Sequence, residues 1–193
     1  MLDEAVRKAM ARWPNVPDVY GWLRLDRRGQ WLIKDETIAN ATVRDFISRN
    51  YLRTDDGAYA FQNGPQRVFV ELDYAPWIVS LQPNGELRLH TGVTCEVPKA
   101  AWMDEAGALL LEVYDTVALL DDRDLGAFSD WLVAPDGAQL DDARAEAAVD
   151  ALAEGKDAGV ALRINGVTLP LKRVSSSDVA TQFNFVATPQ EPA

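Results

Sequence analysis

Two seven-residue stretches decide the expected fold: "YLRTDDG", residues 51–57, and "WLVAPDG", residues 131–137. Each consists of an aromatic residue, a leucine, three variable residues and an Asp-Gly pair. Asp-Gly favours a tight turn, because glycine accepts a positive φ and the Asp side chain bonds nearby backbone amides. The pair raises the question of whether the chain contains one unit twice.

The residues that precede the two stretches follow the same order. A strand pattern ends at Asp26, a turn reaches Gly29, and a second strand and a short helix capped by Asn40 lead to "YLRTDDG". Asp104 and Gly107 begin the equivalent series before "WLVAPDG". Asp-x-x-Gly and Asp-Gly are also common in unrelated hairpins. The shared order of elements nevertheless favours an internal duplication.

The remaining patterns complete a prediction of α+β class: two related lobes of small antiparallel sheets with short helices, spanning residues 1–98 and 99–193. The second lobe has an extra helix that ends at Gly155. Pro170 predicts an edge strand, since proline cannot donate to a sheet ladder. "TQFNFVA", residues 181–187, alternates as a last strand.

Charge differs between the two halves of the chain. The whole sequence carries a net charge of −11. Residues 1–98 hold 12 Lys and Arg against 13 Asp and Glu, and residues 99–193 hold 7 against 17. The acidic balance argues against a nucleic acid or an anionic membrane as partner. The apolar runs are too short for a membrane span, and without a signal-peptide pattern we expect a cytoplasmic protein.

The search for chemistry predicts no catalytic residue, no metal and no cofactor. One histidine and one cysteine cannot form a His- or Cys-rich zinc site. His90 and Cys95 could in principle act as base and nucleophile, but a buried structural cysteine is favoured. Asp26 and Asp104 could form a carboxylate pair about a pseudo-twofold axis, but turn formation explains both.

The arginines of the first half predict a binding site for a small anion. Ten of its 12 basic residues are Arg, which can bind a carboxylate or phosphate through two hydrogen bonds. Arg49 and Arg53 flank Tyr51 at the end of a helix, and Arg67 lies on a neighbouring strand. We predict these four residues as ligand contacts. The alternative is that the arginines face the acidic second half or solvent.

Residues 20–80 resemble a proteobacterial family of proteins of unknown function, the one numbered 1285. The resemblance lies in "LRLDRRGQW" (23–31), "FISRNYLRTDDGAYAF" (46–61) and "RVFVELDYAPWIV" (67–79). It implies a two-part α+β protein with repeated motifs, no established enzymatic activity, and a suggested role in signalling or ligand binding. The residues that carry it are Asp26, Gly29, Trp31, Asp56, Gly57, Tyr59, Ala75, Pro76 and Trp77.

The leading functional hypothesis is a non-enzymatic ligand-binding or regulatory module. Small-molecule pockets often form where domains meet, so the predicted site is a cleft between the lobes. One alternative is a protein-interaction adaptor that uses an exposed sheet edge near Pro170. Another is a hydrolase without a recognisable residue set. The oligomeric state stays open.

Overall fold

The computed structural model describes residues 2–192, apart from the side chains of residues 127–129. Its first lobe consists of helix α1 (Glu4–Arg12), strands β1 (Val19–Leu25), β2 (Trp31–Ile33) and β3 (Glu36–Thr37), helix α2 (Ala41–Arg49), and strands β4 (Tyr51–Arg53), β5 (Tyr59–Asn63) and β6 (Gln66–Leu72). Asn40 caps α2 as predicted, because its side chain accepts a hydrogen bond from the Val43 amide.

The hairpin of β7 (Trp77–Leu81) and β8 (Leu87–Leu89) leads to the second lobe. This lobe consists of strands β9 (Ala100–Met103), β10 (Leu109–Val113) and β11 (Thr116–Leu120), a 3₁₀ helix (Asp122–Ala127), helix α3 (Phe128–Trp131), strand β12 (Leu132–Val133), helix α4 (Asp142–Ala153), strands β13 (Ala161–Ile164) and β14 (Val167–Arg173), a 3₁₀ turn (Ser176–Asp178) and helix α5 (Val179–Gln182).

The two lobes repeat one strand order. Within residues 2–192, the first sheet runs β3-β2-β1-β6-β5-β4. The second contains β11-β10-β9-β14-β13-β12 in the same relation, and β7 and β8 extend it beyond β11. In each lobe the first and last strands pair in parallel, β1 with β6 and β9 with β14. The α+β class with two related lobes is therefore confirmed, and the parallel pairs make each sheet mixed.

Residue equivalences follow from the strand register. Leu23 lies opposite Val70 in the first lobe, and Ala101 lies opposite Leu171 in the second. We call the face that carries Leu23, or its equivalent Ala101, the front face of its sheet, and the other the back face. Successive side chains of a strand alternate between the two faces.

The lobes stack front to back. Leu23, Leu25 and Trp31 on the front of the first sheet pack in one buried cluster with Leu110 and Leu119 on the back of the second. The front of the second sheet forms a separate cluster, in which Ala148 and Leu152 of α4 take part. Equivalent faces thus point the same way. The pseudo-twofold relation considered for Asp26 and Asp104 is wrong.

Three further features of the structure differ from what the sequence patterns indicate. β14 lies between β13 and β9, so the edge strand predicted at Pro170 is wrong. The last strand is also wrong, because residues 179–182 form α5 and Asn184 has a φ of 51°. The hairpin β7–β8, although it precedes residue 98, pairs with β11 of the second sheet. A domain boundary between residues 98 and 99 stays a prediction.

Candidate ligand site between the lobes

Two equivalent turns meet where the lobes join. Asp26 accepts hydrogen bonds from the amides of Arg28 (2.9 Å) and Gln30 (2.7 Å). Asp104 accepts in the same way from Ala106 (2.9 Å) and Ala108 (2.8 Å). Each carboxylate therefore organises its own Asp-x-x-Gly turn, as predicted, and the repeat places the two turns on opposite walls of one cleft.

This interlobe cleft has a volume of about 430 Å³. Charged side chains come mainly from the first lobe, and apolar side chains come from β11 and the 3₁₀ helix of the second. The lining consists of residues 26–28, Asp73, residues 106–108, Leu119, Leu120, Asp122 and Leu125.

An ion pair links the two walls. Arg28 donates to both carboxylate oxygens of Asp122, from Nε at 3.1 Å and from Nη2 at 2.8 Å. Both side chains are about half exposed, so solvent screens the pair and its contribution to stability is small. The pair still bridges the two lobes at the rim of the cleft.

Arg27, the residue before Arg28, stacks on an aromatic ring instead of pairing with a carboxylate of the described residues. Its Cζ lies 4.0 Å from the centroid of the Tyr74 ring, and within residues 2–192 it forms neither an ion pair nor a side-chain hydrogen bond. Tyr74 is held by Asp104, whose Oδ2 accepts from the phenol at 2.5 Å. Burial, followed by this bond and the Asp104 charge, raises the pKa of Tyr74 well above its usual range.

Asp73 is a cleft carboxylate whose only ion-pair partner among residues 2–192, Arg24, is shared with a second carboxylate. Partial desolvation of its carboxylate raises the pKa of Asp73 although the residue as a whole is exposed, and the nearby Arg24 guanidinium is the main opposing influence. Arg24 Nε lies 3.4 Å from Asp73 Oδ1, while its Nη1 lies 2.9 Å from Asp35. The cleft thus combines a guanidinium that lacks an acidic partner with a carboxylate that can accept further hydrogen bonds.

An aromatic cluster lies on the other side of the first turn. The His90 ring is within 5.7 Å of the ring centroids of Trp31, Tyr51 and Trp77. His90 Nδ1 accepts from the Ile78 amide at 3.2 Å, which leaves the proton of the neutral imidazole on Nε2. Burial lowers the pKa of His90 to about 3, partly opposed by that hydrogen bond.

The structure separates His90 from Cys95. Cys95 lies in the front cluster of the second lobe, whereas His90 packs against aromatic rings of the first. Burial, with a smaller effect of Glu96, raises the pKa of the Cys95 thiol to about 11. A thiol with so high a pKa is a poor nucleophile at neutral pH. The two residues do not form a Cys–His dyad in this structure.

The four predicted ligand contacts have separate surroundings. Arg49 Nε lies 3.6 Å from Asp3, and Arg67 forms a bidentate pair with Asp18 at 2.9 and 2.8 Å.

Arg53 donates to the Asn184 carbonyl at 2.5 Å. Tyr51 is buried in the aromatic cluster and donates to the Pro76 carbonyl at 2.9 Å. The structure shows no acceptor shared by the three arginines among residues 2–192. A ligand role for this set stays a prediction.

Sequence reasoning missed Arg27 and Asp73 as a possible site. The available signal was the repeat itself, because a turn that recurs in two stacked units contributes to both walls of the junction. The repeat therefore marks the residues next to Asp26, including Arg27, as candidates for the site. The strand and helix patterns alone do not.

Among residues 2–192, no group of three or more His, Cys, Asp or Glu side chains could hold a metal ion. In the same residues, no helix has the length and apolar character that a bilayer span requires.

Fold and cleft together define a two-lobed α+β protein built from one repeated unit. The family model DUF2944, described as "Protein of unknown function (DUF2946)", matches residues 2–190, and the chain belongs to that family. No curated protein matches the sequence.

Two solved structures are similar. A DUF1285 family protein from Silicibacter pomeroyi DSS-3 is 18% identical with a TM-score of 0.53, over 89% of this chain and 96% of that one. Another from Shewanella baltica OS155 is 15% identical with a TM-score of 0.42, over 56% and 90%. The first shows a shared fold. The predicted resemblance to family 1285 is confirmed at that level.

Proposed function

We propose that the protein is a non-enzymatic ligand-binding module that holds a small monoanion in the interlobe cleft. The observation that carries this proposal is Arg27, which lies in the cleft wall, stacked on Tyr74 and without an acidic partner among residues 2–192. A stacked guanidinium keeps its edge N–H groups available for a carboxylate or phosphate. Tyr74, fixed by Asp104, supports the orientation of Arg27.

The charge of the lining narrows the ligand class. The lining has two positive and three negative side chains, which gives a net charge of −1. The positive residues are Arg27 and Arg28, and the negative ones are Asp26, Asp73 and Asp122. A polyphosphate would meet this excess of carboxylates unfavourably. A single carboxylate that also carries hydrogen-bond donors fits better, with Arg27 for the carboxylate and Asp73 for the donors. A free amino acid is the simplest example.

A regulatory role would follow from the position of the site. A ligand carboxylate that also reached Arg28 would compete with Asp122 and change the ion pair that links the lobes. Binding would then alter the distance between the lobes at the rim of the cleft. A partner protein could bind the two forms with different affinity.

Thermal melts with a defined panel test the proposal. The panel contains acetate, glycine, alanine, glutamate, inorganic phosphate and pyrophosphate. We expect the amino acids to raise the melting temperature in proportion to the logarithm of their concentration, and pyrophosphate to raise it least. Arg27→Gln should abolish the shift.

Arg12→Gln is the matched control, because Arg12 also stacks on an aromatic ring, Trp13 at 4.7 Å, and neither residue belongs to the cleft lining. A panel that leaves the wild-type melt unchanged, or equal responses of the two variants, contradicts the proposal. If an Arg49→Ala/Arg53→Ala double variant loses the shift while Arg27→Gln keeps it, the site is the arginine set predicted from sequence.

A further inference from the structure

A second cavity, of about 370 Å³, lies in the first lobe and is almost entirely apolar. It opens between α2 and the front face of the first sheet. Val43 and Ile47 line it from α2, Leu23 and Ile33 from β1 and β2, and Phe61 and Val68 from β5 and β6.

Large apolar side chains around this cavity are exposed to solvent. Trp22 is 50% exposed, Ile33 44% and Val43 40%. Single exposed hydrophobic residues are ordinary, but three that converge on one concave space indicate a surface that a ligand covers. The equivalents of the deeper lining residues in the second lobe, Leu162 for Phe61 and Leu169 for Val68, are buried in the core of that lobe.

A cation lies beside the apolar lining. Lys34 Nζ is 3.8 Å from the centroid of the Trp22 ring, and Lys34 forms no ion pair within residues 2–192. Lys34 and Asp35 form the turn between β2 and β3 with φ of 47° and 71°, and Asp35 is paired with Arg24 at 2.9 Å. In a chain with a net charge of −11, an unpaired ammonium at an apolar cavity favours an anionic group on the occupant.

We propose that this cavity binds the alkyl chain of a medium-chain carboxylate, with the carboxylate near Lys34. The Asn63 amide also lies in the lining, where it can donate to a carboxylate oxygen, whereas the Gln66 amide already donates to the Pro17 carbonyl at 3.2 Å. Its volume is within the range of small-ligand sites. The site is independent of the interlobe cleft, since the two linings share no residue.

Calorimetric titration of the full chain with hexanoate, octanoate and decanoate tests the alkyl part. Each methylene that enters the cavity should tighten binding about fourfold, so that octanoate binds about 15-fold more tightly than hexanoate. No binding, or binding without chain-length dependence, overturns the proposal. A dimer that blocks octanoate overturns it as well, because a second copy would then be the occupant.

Three variants separate the contributions of the site. Val43→Asp places a carboxylate in the cavity at the first turn of α2, where an acidic residue suits the helix and folding is preserved. It should weaken octanoate binding at least tenfold. Val97→Asp makes the same change at another exposed valine and should leave binding unaltered.

Lys34→Gln should weaken octanoate several-fold and leave octanol unchanged. Equal loss for both ligands, or no loss, overturns the assignment of the carboxylate to Lys34. Arg27→Gln should not change octanoate binding, which keeps this test distinct from that of the interlobe cleft.

Discussion

The two lobes share one strand order but bury opposite faces against each other. The first lobe uses its front face at the junction, and the second uses its back face. At equivalent back-face positions, the first lobe has Arg24 where the second has Trp102, and Thr37 where the second has Leu119. The first lobe thus turns a more polar back face to solvent.

This difference disfavours further front-to-back stacking on the two outer faces. A front-to-back contact is heterologous and could continue indefinitely through further units or copies. Here the polar back of the first lobe closes one end. At the other end, α4, which has no equivalent in the first lobe, covers the front of the second. Repeat proteins commonly need such modified terminal units.

The largest expected effect comes from two adjacent residues of β10. Leu110 is fully buried in the interlobe cluster, and Leu111 is fully buried in the core of the second lobe. Substitution of either by alanine should lower the free energy of unfolding by about 2–5 kcal/mol. Because the lobes share a core, both variants should show one transition by calorimetry and by circular dichroism.

A small loss for Leu110→Ala beside a large one for Leu111→Ala would mean that the interlobe cluster contributes little. Two resolved transitions in either variant would show that the lobes fold independently.

The next comparison uses the two glycines of the equivalent turns. Gly29 and Gly107 have φ of 76° and 79°, so alanine costs about 1–2 kcal/mol at either. A Cβ at Gly29 would lie 2.6 Å from His90 Cβ. A Cβ at Gly107 would have no neighbouring atom within 4 Å. Overpacking should therefore lower the free energy of unfolding of Gly29→Ala by about 1–3 kcal/mol more than that of Gly107→Ala. Urea unfolding measures the difference, and equal losses would contradict the close contact.

Turn chemistry was the most predictable part of this fold, because it is local. Asp26, Asp104 and Asn40 each act through amides two to four residues away, and sequence shows those spacings directly. The front-to-back stacking could not be predicted. Leu109–Val113 is buried on both faces, so its apolar pattern does not say which residue meets which lobe.

The error at residues 181–187 has a similar cause. Phe183 and Phe185 alternate with polar residues as in a strand, and both are indeed buried. They enter the interlobe cluster from the end of α5 and the residues after it, a route fixed by the tertiary fold. Arg27 and Asp73 escaped notice for a related reason, since they are distant in sequence and are brought together by the parallel pairing of β1 with β6 in the first lobe.

A pH-dependent effect tests how well the junction excludes water. His90, the only histidine, has a folded-state pKa of about 3 because of burial, against about 6.5 unfolded. The unfolded chain therefore binds one more proton between these values. His90 contributes full stability above pH 6.5, and this is lost as the pH falls toward 3.

From pH 7 to pH 5 the loss attributable to His90 should be about 2 kcal/mol. We expect His90→Gln to remove that part of the pH dependence in urea unfolding. An unchanged dependence in the variant would show that His90 is solvated in the folded protein.

The smallest expected effect separates the two turn aspartates. Asp104 is 1% exposed and accepts from Tyr74 as well as from its own turn amides, whereas Asp26 is only partly buried. Asn can form either turn, so Asp26→Asn should change stability by less than about 0.5 kcal/mol. Asp104→Asn also loses a charge-assisted bond and should cost about 1–2 kcal/mol at pH 7.

A double-mutant cycle with Tyr74→Phe assigns that excess. If the Tyr74 bond is its source, Asp104→Asn in the Tyr74→Phe background should cost no more than Asp26→Asn in the wild type. The Tyr74 hydroxyl has a raised pKa in the folded state, so its contribution is present below pH 10 and is lost as the pH rises further. An excess that survives in the Tyr74→Phe background would instead mean that the Asp104 turn is intrinsically more demanding than its equivalent, and the two repeats would then differ in their turns as well as in their packing.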